Sequence, residues 1–549
     1  MAQEFKLKGV SSLNLKNGDK QEVEVEGIEG GKLLLLKVQD QVHATSANCT
    51  HFGAPLKNGV LTPEGRLTCP WHGACFKVST GDVEDAPALD PLSKYEVFEK
   101  DGAVYVKAEE ATIKANRRTL NLKCSSVSND QVLVIGGGSG TIGAIEGLRG
   151  GGYNGQITVI SKEGYRPIDR TKLSKALLAD ISKAAWRPAE FYKDALIDIV
   201  QDEVKSVDFH GKKVSTKSGE TYEYTKLVLA SGGTPRWLPL PGLKQGELGN
   251  VFVLRSLQDA QEIVKAVGDN GKKVVVIGSS FIGMEVGNCL AGMKNDVSII
   301  GMESAPMERV MGKKVGEIFQ KLIEKNGVKF YMEASVEKAA PSKDDSSKVG
   351  AVNLKDGTVL EADLVIEGVG VGPATEYLKE NSVVTLEKDG SIKTNESFEV
   401  QGLKDVFAIG DIATYPYHGP GGDGNPVRIE HWNVAQNAGR SVANTIANPG
   451  AKPKPFIPVF WSALGSQLRY CGNTVGGYDD VVITGEPEKP SFVAYYTKGE
   501  TVVAVASMMK DPYCMQAAEL MRRGKMPTKS ELKNGIDLLK VDLPSEVKM

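Results

Sequence analysis

Up to about residue 108 the apolar positions come in short stretches broken by glycine and aspartate. "GDKQEVEVEG", "GKLLLLKVQDQVHATS", "RLTC", "ACFKVSTGDVED" and "YEVFEKDGAVYVKAEE" either alternate or run apolar between turn residues. That pattern predicts short strands and turns, so residues 1–108 are expected to form a small all-β domain. Residues 109–130 are polar, carry no apolar period and are expected to be a linker. From Gln131 the texture changes. "VLVIGGGSGTIGAIEGLRGGGYNGQITVISKE" reads as strand, Gly-rich turn, helix and strand, and "KKVVVIGSSFIGMEVGNCLAGMKNDVSIIGME" repeats the plan from residue 272. Two such units predict two nucleotide-binding βαβ folds. The expected division is 131–258 with 385–450 for the first unit and 259–384 for the second. A helix is expected at about 430–447, then the Pro-rich "NPGAKPKPFIPVF". Residues 451–549 mix strands with a helix and read as a separate α+β domain.

Composition narrows this only a little. The 549 residues allow three or four domains at roughly 150 residues each. The hydrophobic share of 41% and charged share of 25% are ordinary for globular proteins. A net charge of −3, with no long basic run, argues against a nucleic-acid partner. The N-terminal stretch has no apolar signal core, and no apolar run reaches spanning length. The expectation is therefore a cytoplasmic protein without a transmembrane segment, monomeric or homodimeric, with mitochondrial association through a partner left open. Seven scattered cysteines do not make a secreted disulfide framework.

The first glycine loop can be read in two registers. Gly136-x-Gly138 puts Thr141 where a third glycine would sit. Gly138-Ser139-Gly140-x-x-Gly143 fits the dinucleotide fingerprint literally. Strand length favours the first, because the loop should begin right after Ile135. Glu163 ends the next strand, where a carboxylate can accept both ribose hydroxyls. Downstream come "YRPIDRTKLSK", "TKLVLASGGTPR", "DVFAIGDIA" and "RIEHWNVAQNAGR". In this order and spacing they resemble the two-dinucleotide flavoprotein family of pyridine-nucleotide oxidoreductases. The resemblance implies FAD on the first loop and Asp411 at the ribityl-phosphate part of the flavin. It implies further FAD contacts from Arg170, Lys175, Val204, Arg236, His431 and Trp432.

In the second loop, Gly278-Ser-Ser280-Phe-Ile-Gly283 replaces the usual middle glycine by Ser280. Glu303 ends the following strand. A carboxylate there favours a free 2′-hydroxyl and disfavours a 2′-phosphate, and no arginine follows until Arg309, so NADH is expected over NADPH. The resemblance implies that Glu285 faces the nicotinamide and pairs with Lys175; these two are the candidate catalytic residues. The disulfide-reductase branch of the family carries a C-x4-C pair after the first acidic strand. This chain has no cysteine there, so electrons must leave the flavin another way.

The remaining chemistry lies in "CTHFGAPLKNGVLTPEGRLTCPWHGACF". Cys49-x-His51 and Cys69-x-x-His72 offer two cysteines and two histidines in alternating order. One tetrahedral zinc or a [2Fe–2S] centre could use them. Alternation suits two irons, since each loop then gives one ligand to each. "C-T-H-x-G-A-P-L" and "C-P-W-H-G-A-x-F" resemble the cluster loops of Rieske proteins, with Cys75 a packed thiol. Respiratory Rieske proteins brace these loops with a disulfide, where this chain has Ala54 and Trp71. They also donate hydroxyls where it has Ala74 and Phe76, and fewer hydrogen bonds to sulfur lower the potential.

Taken together, the chain resembles apoptosis-inducing-factor-like flavoproteins of the Rieske-bearing type. The fold class this implies is multidomain, an all-β Rieske domain plus an α/β two-dinucleotide-binding flavoprotein with a C-terminal α+β domain. The implied activity passes electrons from NADH through FAD to the cluster, whose histidines face solvent, and on to an external protein or quinone. The alternative is an NADH-responsive redox sensor with little turnover. A nitrite-reductase-like fusion is excluded by the missing sirohaem-cluster cysteines. Trp461 is either core or a neighbour of the flavin, and His418 reads as surface.

Overall fold

The computed structural model describes residues 2–120, 122–125 and 127–549. The N-terminal domain is a six-stranded antiparallel sheet closed on a smaller four-stranded one. The large sheet runs Gln3–Lys6, Ala103–Ala108, Lys94–Lys100, Gln41–Ser46, Lys32–Val38, Lys20–Glu24. The run "LLLL" is buried on both faces: Leu34 and Leu36 pack toward the cysteine loops, Leu33 and Leu35 toward the opposite core. The first Cys/His loop follows the strand Gln41–Ser46, and the second joins Arg66–Thr68 to Cys75–Lys77 in the small sheet.

Two parallel sheets follow that share the order of four strands and differ in the fifth, which comes last in the chain in the first sheet and first in the second. The first is ordered Ile197–Gln201, Gly155–Ser161, Ser128–Ile135, Lys226–Leu229, Val406–Ala408. The second, read in the same sense, is Lys329–Tyr331, Asp296–Ile300, Lys273–Ile277, Leu364–Glu367, Val251–Phe252. Each has its glycine loop at the end of its central strand, where the strand order reverses; ligands of open α/β sheets bind at such points. The C-terminal domain is a five-stranded antiparallel sheet backed by the helix Tyr513–Arg522. Among the described residues no helix is long and apolar enough to cross a membrane.

Three expectations differ from what is observed. The stretch expected to be a linker contains the helix Glu110–Ala115, which buries Ile113, and the strand Ser128–Ile135 starts within it; Asn121 and Ser126 lie outside the described residues. The boundary expected at 259 falls inside the helix Leu257–Val267, and the second sheet already takes Val251–Phe252. The boundary expected at 385 comes late, because Val371–Pro373 already pairs with Gly233–Pro235. These crossings rest on strands of two or three residues, too short to show a period.

Candidate functional site

The first glycine loop begins where the strand Ser128–Ile135 ends. Gly136 adopts φ +109°, and a Cβ there would lie 2.2 Å from Ala230 O. Thr141 Oγ1 donates to Gly136 O at 2.6 Å and ties the loop to the first turn of the helix Ser139–Gly150. Gly138 caps that helix, and a Cβ there would meet nothing within 4 Å, so it faces open space. Gly140 and Gly143 serve a different purpose. A Cβ on Gly143 would lie 2.2 Å from Gln436 O, so it lets the helix Trp432–Ala447 pack closely, and one on Gly140 would lie 2.9 Å from Ile409 Cδ1, just past the strand Val406–Ala408.

A cavity of about 1450 Å³ opens in front of this loop. That exceeds the roughly 300–1,000 Å³ of pockets for drug-sized molecules. Of the expected FAD residues, Gly136, Gly138, Ser139, Gly140, Glu163 and Arg170 line it. Val204, Asp411, His431 and Trp432 line it too. Lys175 and Arg236 do not, and Arg236 is exposed. Glu163 pairs with Arg170. Burial alone would raise its carboxyl; the Arg170 guanidinium outweighs that and holds it below the usual range. Asp411 pairs with Arg255 at 2.6 Å. Arg255 went unrecognised in the sequence, where its only signal is its place just before the Ser256–Asp259 capping box.

The second loop repeats the first. Gly278 has φ +110°, with a would-be Cβ 2.3 Å from Gly368 O. Ser280 stands at the helix cap, the place Gly138 holds in the first loop, and is exposed. A Cβ on Gly283 would lie 2.0 Å from Gly278 O. Arg309 binds Glu303 at 2.7 Å. Glu285 is 4% exposed and accepts from Ser462 Oγ at 2.5 Å, Lys175 Nζ at 3.0 Å and Ser174 Oγ.

Glu367, at the end of the strand beside Gly278, was not anticipated. Its Oε2 accepts from Leu238 N at 2.7 Å while its Oε1 is buried without a partner. Burial pushes its carboxyl up to about 7. From about pH 4.5 to 7 the unfolded chain therefore releases a proton that the folded chain keeps, and stability falls as pH rises. Glu367→Gln is expected to stabilise the fold at pH 8 by at most about 3 kcal/mol and to do nothing near pH 4.5. Denaturant melts at both pH values check this; equal shifts at both would refute it.

The Cys/His loops are near copies of one another. Cys49 N donates to Ala54 O and Cys69 N to Ala74 O, both at 2.8 Å, and each loop turns at a glycine of φ +77° or +75°, Gly53 or Gly73. The two thiols contact one another. Cys49 Sγ accepts from the amides of His51 and Phe52, and Cys69 Sγ from those of Trp71 and His72. His51 Nδ1 and His72 Nδ1 are 3.1 Å apart. Burial, aided by Lys172, lowers His51 to about 3; burial, aided first by His51, lowers His72 well below its ordinary value. Both rings are thus neutral, the form that binds a metal. Among the described residues no three Cys, His, Asp or Glu converge on one point, as a single zinc would require. A sulfur pair and a nitrogen pair fit a two-iron centre. Cys75 is buried and donates to Glu84 Oε2 at 3.8 Å.

The histidines do not face solvent, contrary to expectation. His72 is 7% exposed, and its ring centroid lies 4.4 Å from that of Trp461. His51 is half-buried, 6.0 Å from Trp186, 5.9 Å from Trp461 and 6.5 Å from Trp432, which lines the large cavity. Trp461 is therefore both core and cluster neighbour. Trp186 Nε1 and Trp432 Nε1 are buried without partners. Polar contacts hold this docking. Arg66 binds Glu84 and Asp85 within its own domain and Glu519 of the C-terminal domain. Arg187 joins Asp90 to Glu146, and Lys454 binds Asp85. His418, as expected, is exposed, in a pair with Glu396.

Comparison with known proteins agrees with this geometry. Residues 130–439 match the profile of the family described as "Pyridine nucleotide-disulphide oxidoreductase", residues 6–96 the "Rieske [2Fe-2S] domain" and residues 459–541 the "Reductase C-terminal". The chain is similar to "Apoptosis-inducing factor 3" of Homo sapiens, 38% identical over 94% of this chain and 84% of that protein. It is 30% identical to "Rubredoxin-NAD(+) reductase" of Pseudomonas putida over 69% of this chain and 95% of that protein. Among solved structures, the covalent putidaredoxin reductase–putidaredoxin complex matches with a TM-score of 0.69 and 28% identity, over 75% of this chain and 98% of that one.

Proposed function

The chain belongs to the pyridine nucleotide-disulphide oxidoreductase family and carries a Rieske domain ahead of it, and from that premise we propose that it moves electrons from NADH through FAD to its own [2Fe–2S] centre and on to an external acceptor. It is an NAD(P)H-dependent, FAD-containing oxidoreductase related to ferredoxin reductases. When bound, FAD takes a hydride from the dihydronicotinamide, and the two-iron centre carries electrons singly.

The chain's own residues do the rest. The helix start at Ser139 and the open face at Gly138 leave room for a pyrophosphate over backbone amides. Glu163 is kept ionised by Arg170 to accept ribose hydroxyls. Glu285 fixes Lys175, whose charge lies near His431 of the cavity wall. Cys49 and Cys69 would hold one iron, His51 and His72 the other. NADH is preferred, because Glu303 meets the ribose and Arg309 is already engaged by it. Ala74 and Phe76, both fully buried, offer the cluster no hydroxyl, in keeping with a low potential.

One observation carries this reading. The histidine pair is packed on Trp461 and near Trp432, a residue of the flavin-sized cavity's wall. In the putidaredoxin complex a reductase is joined to its putidaredoxin; here the carrier is part of the chain. The test is anaerobic mixing of the loaded protein with NADH, following flavin and cluster absorbance by stopped flow. Both should be reduced, the cluster at a rate independent of protein concentration. A flavin that bleaches while the cluster stays oxidised would sink the proposal.

A further inference from the structure

The ring that covers His72 has a charged neighbour. Trp461 and Arg469 stand opposite one another where the strands Val459–Ala463 and Gln467–Gly472 pair antiparallel. Directly opposed residues point to the same face of a sheet, so Arg469 shares the face that Trp461 turns toward the cluster loops. The second loop lies hard against this domain. A Cβ on Gly73 would be 3.1 Å from Val459 Cγ1 and 3.3 Å from Met515 Sδ. Arg469 is 2% exposed, and a guanidinium keeps its charge in proteins. That charge reaches two of the candidate iron ligands. Burial pushes the Cys69 thiol up; the Cys49 contact, the Trp71 and His72 amides and the Arg469 charge outweigh it and hold Cys69 below its ordinary value. After burial and His51, Arg469 also lowers His72.

The bonding of Arg469 does not account for burying so costly a group. Nη1 donates to Leu468 O at 3.4 Å and Nη2 donates to Gln467 Oε1, both on its own strand. Nε is buried without a hydrogen-bond partner, 3.5 Å from Asp511 Oδ1. Asp511 does not cancel the charge. Its side chain is 28% exposed against 3% for Arg469, so water screens it more. Its field falls on Cys514, whose thiol is pushed up by burial, Cys471 and Asp511 in turn. Two lysines also approach the ligands, Lys172 near His51 and Lys175 near His72. Both are more exposed than Arg469 and each has its own carboxylate, Asp169 and Glu285. Arg469 is the buried cation, and the one on the sulfur side.

We propose that Arg469, lent by the C-terminal domain, sets the electron affinity of the two-iron centre by favouring its reduced form. With two ferric irons, two sulfides, two cysteinates and two neutral imidazoles, the oxidised centre is neutral. Taking one electron leaves it singly negative, and a fixed buried cation stabilises that state. The charge offsets part of what the cluster lacks at Ala74 and Phe76, which offer it no hydroxyl. Arg469 and the cluster ligands belong to different domains, so this help crosses the docked interface. The inference rests on the cluster reading above but not on the electron route.

The test is a potentiometric titration of the loaded, full-length protein at neutral pH. Dithionite and mediators supply the electrons, NADH is absent, and the cluster is followed by electron paramagnetic resonance. Arg469→Met should lower the electron affinity of the cluster about tenfold, which is about 59 mV for one electron. Arg469→Lys keeps the charge and should lower it no more than about threefold. Asp511→Asn removes the counter-charge from a partly exposed site and should shift the potential the opposite way. A purely structural role for the pair would not produce shifts of opposite sign. A wild-type potential in Arg469→Met, or a downward or absent shift in Asp511→Asn, would overturn the proposal; the second outcome decides even if Arg469→Met fails to fold. A wild-type protein with no Rieske signal after dithionite would remove the cluster reading itself, and a normal signal with unmoved potentials would remove this inference alone.

Discussion

Gly136→Ala should purify without flavin, whereas Gly278→Ala should keep its flavin and lose its response to NADH. Both glycines sit at φ near +110°, which L-residues rarely adopt, and both would drive a methyl group to within 2.3 Å of a neighbouring strand's carbonyl oxygen. Strain in the backbone costs about 1–3 kcal/mol and overpacking about as much again. Either loop can escape only by moving away from the sheet, and that removes the surface on which a pyrophosphate rests. The damage stays local because the two loops end different sheets. Gly278→Ala should therefore slow flavin reduction by about a hundredfold or more, the equivalent of about 2.7 kcal/mol. Gly138→Ala separates the two effects. Its methyl meets no protein atom, so the melting point should hold while flavin affinity drops. Absorbance of the purified variants, thermal melts and stopped-flow reduction read all three. A flavin-loaded Gly136→Ala, or a Gly278→Ala reduced at the wild-type rate, would show that these loops do not carry the dinucleotides.

What was legible in the sequence was short-range. The Cys/His loops span 28 residues from Cys49 to Phe76, and each glycine loop spans a single strand, turn and helix. Within such windows residue type and spacing already state the geometry, as Gly136 beside Ile135 does. The pairing of Lys175 with Glu285 came from a family resemblance rather than from spacing, since 110 residues separate them. What escaped was long-range. His51 meets Trp186, Trp432 and Trp461, which come from three segments 135 to 410 residues away, and no local pattern encodes their meeting. The expectation of solvent-facing histidines assumed a Rieske domain on its own; the Arg66, Arg187 and Lys454 ion pairs that dock it look like ordinary surface charge in the sequence. The helix Glu110–Ala115 escaped for a different reason. Its signals are one i,i+4 pair, Glu110 with Lys114, and the left-handed cap at Asn116, and six residues show no apolar period.

Glu285→Gln should both loosen the fold and slow flavin reduction, because this one carboxylate joins three parts of the chain. Ser174 and Lys175 reach it from the helix Thr171–Ala176, Ser462 from the strand Val459–Ala463, and Glu285 itself sits on the helix Phe281–Gly292 of the second dinucleotide-binding unit. A glutamine keeps the shape but has one acceptor oxygen in place of two. Its amide nitrogen must face a serine hydroxyl, which can rotate to accept, or the Lys175 ammonium, which cannot. In either orientation Lys175 loses its counter-charge. Breaking a buried pair costs about 3–5 kcal/mol. The Lys175 side chain is 22% exposed, so water recovers part of that, and about 2–3 kcal/mol is the expected loss. Released from Glu285, Lys175 no longer holds one position near His431 of the cavity wall, and hydride transfer should slow at least about tenfold. The decisive measurement is the double-mutant cycle with Lys175→Met. If the pair acts as a unit, the double variant should be more stable than the sum of the single losses predicts, by at least about 1 kcal/mol. Strict additivity in both stability and reduction rate would mean that Glu285 works through the two serines alone, and that its 3.0 Å approach to Lys175 contributes nothing.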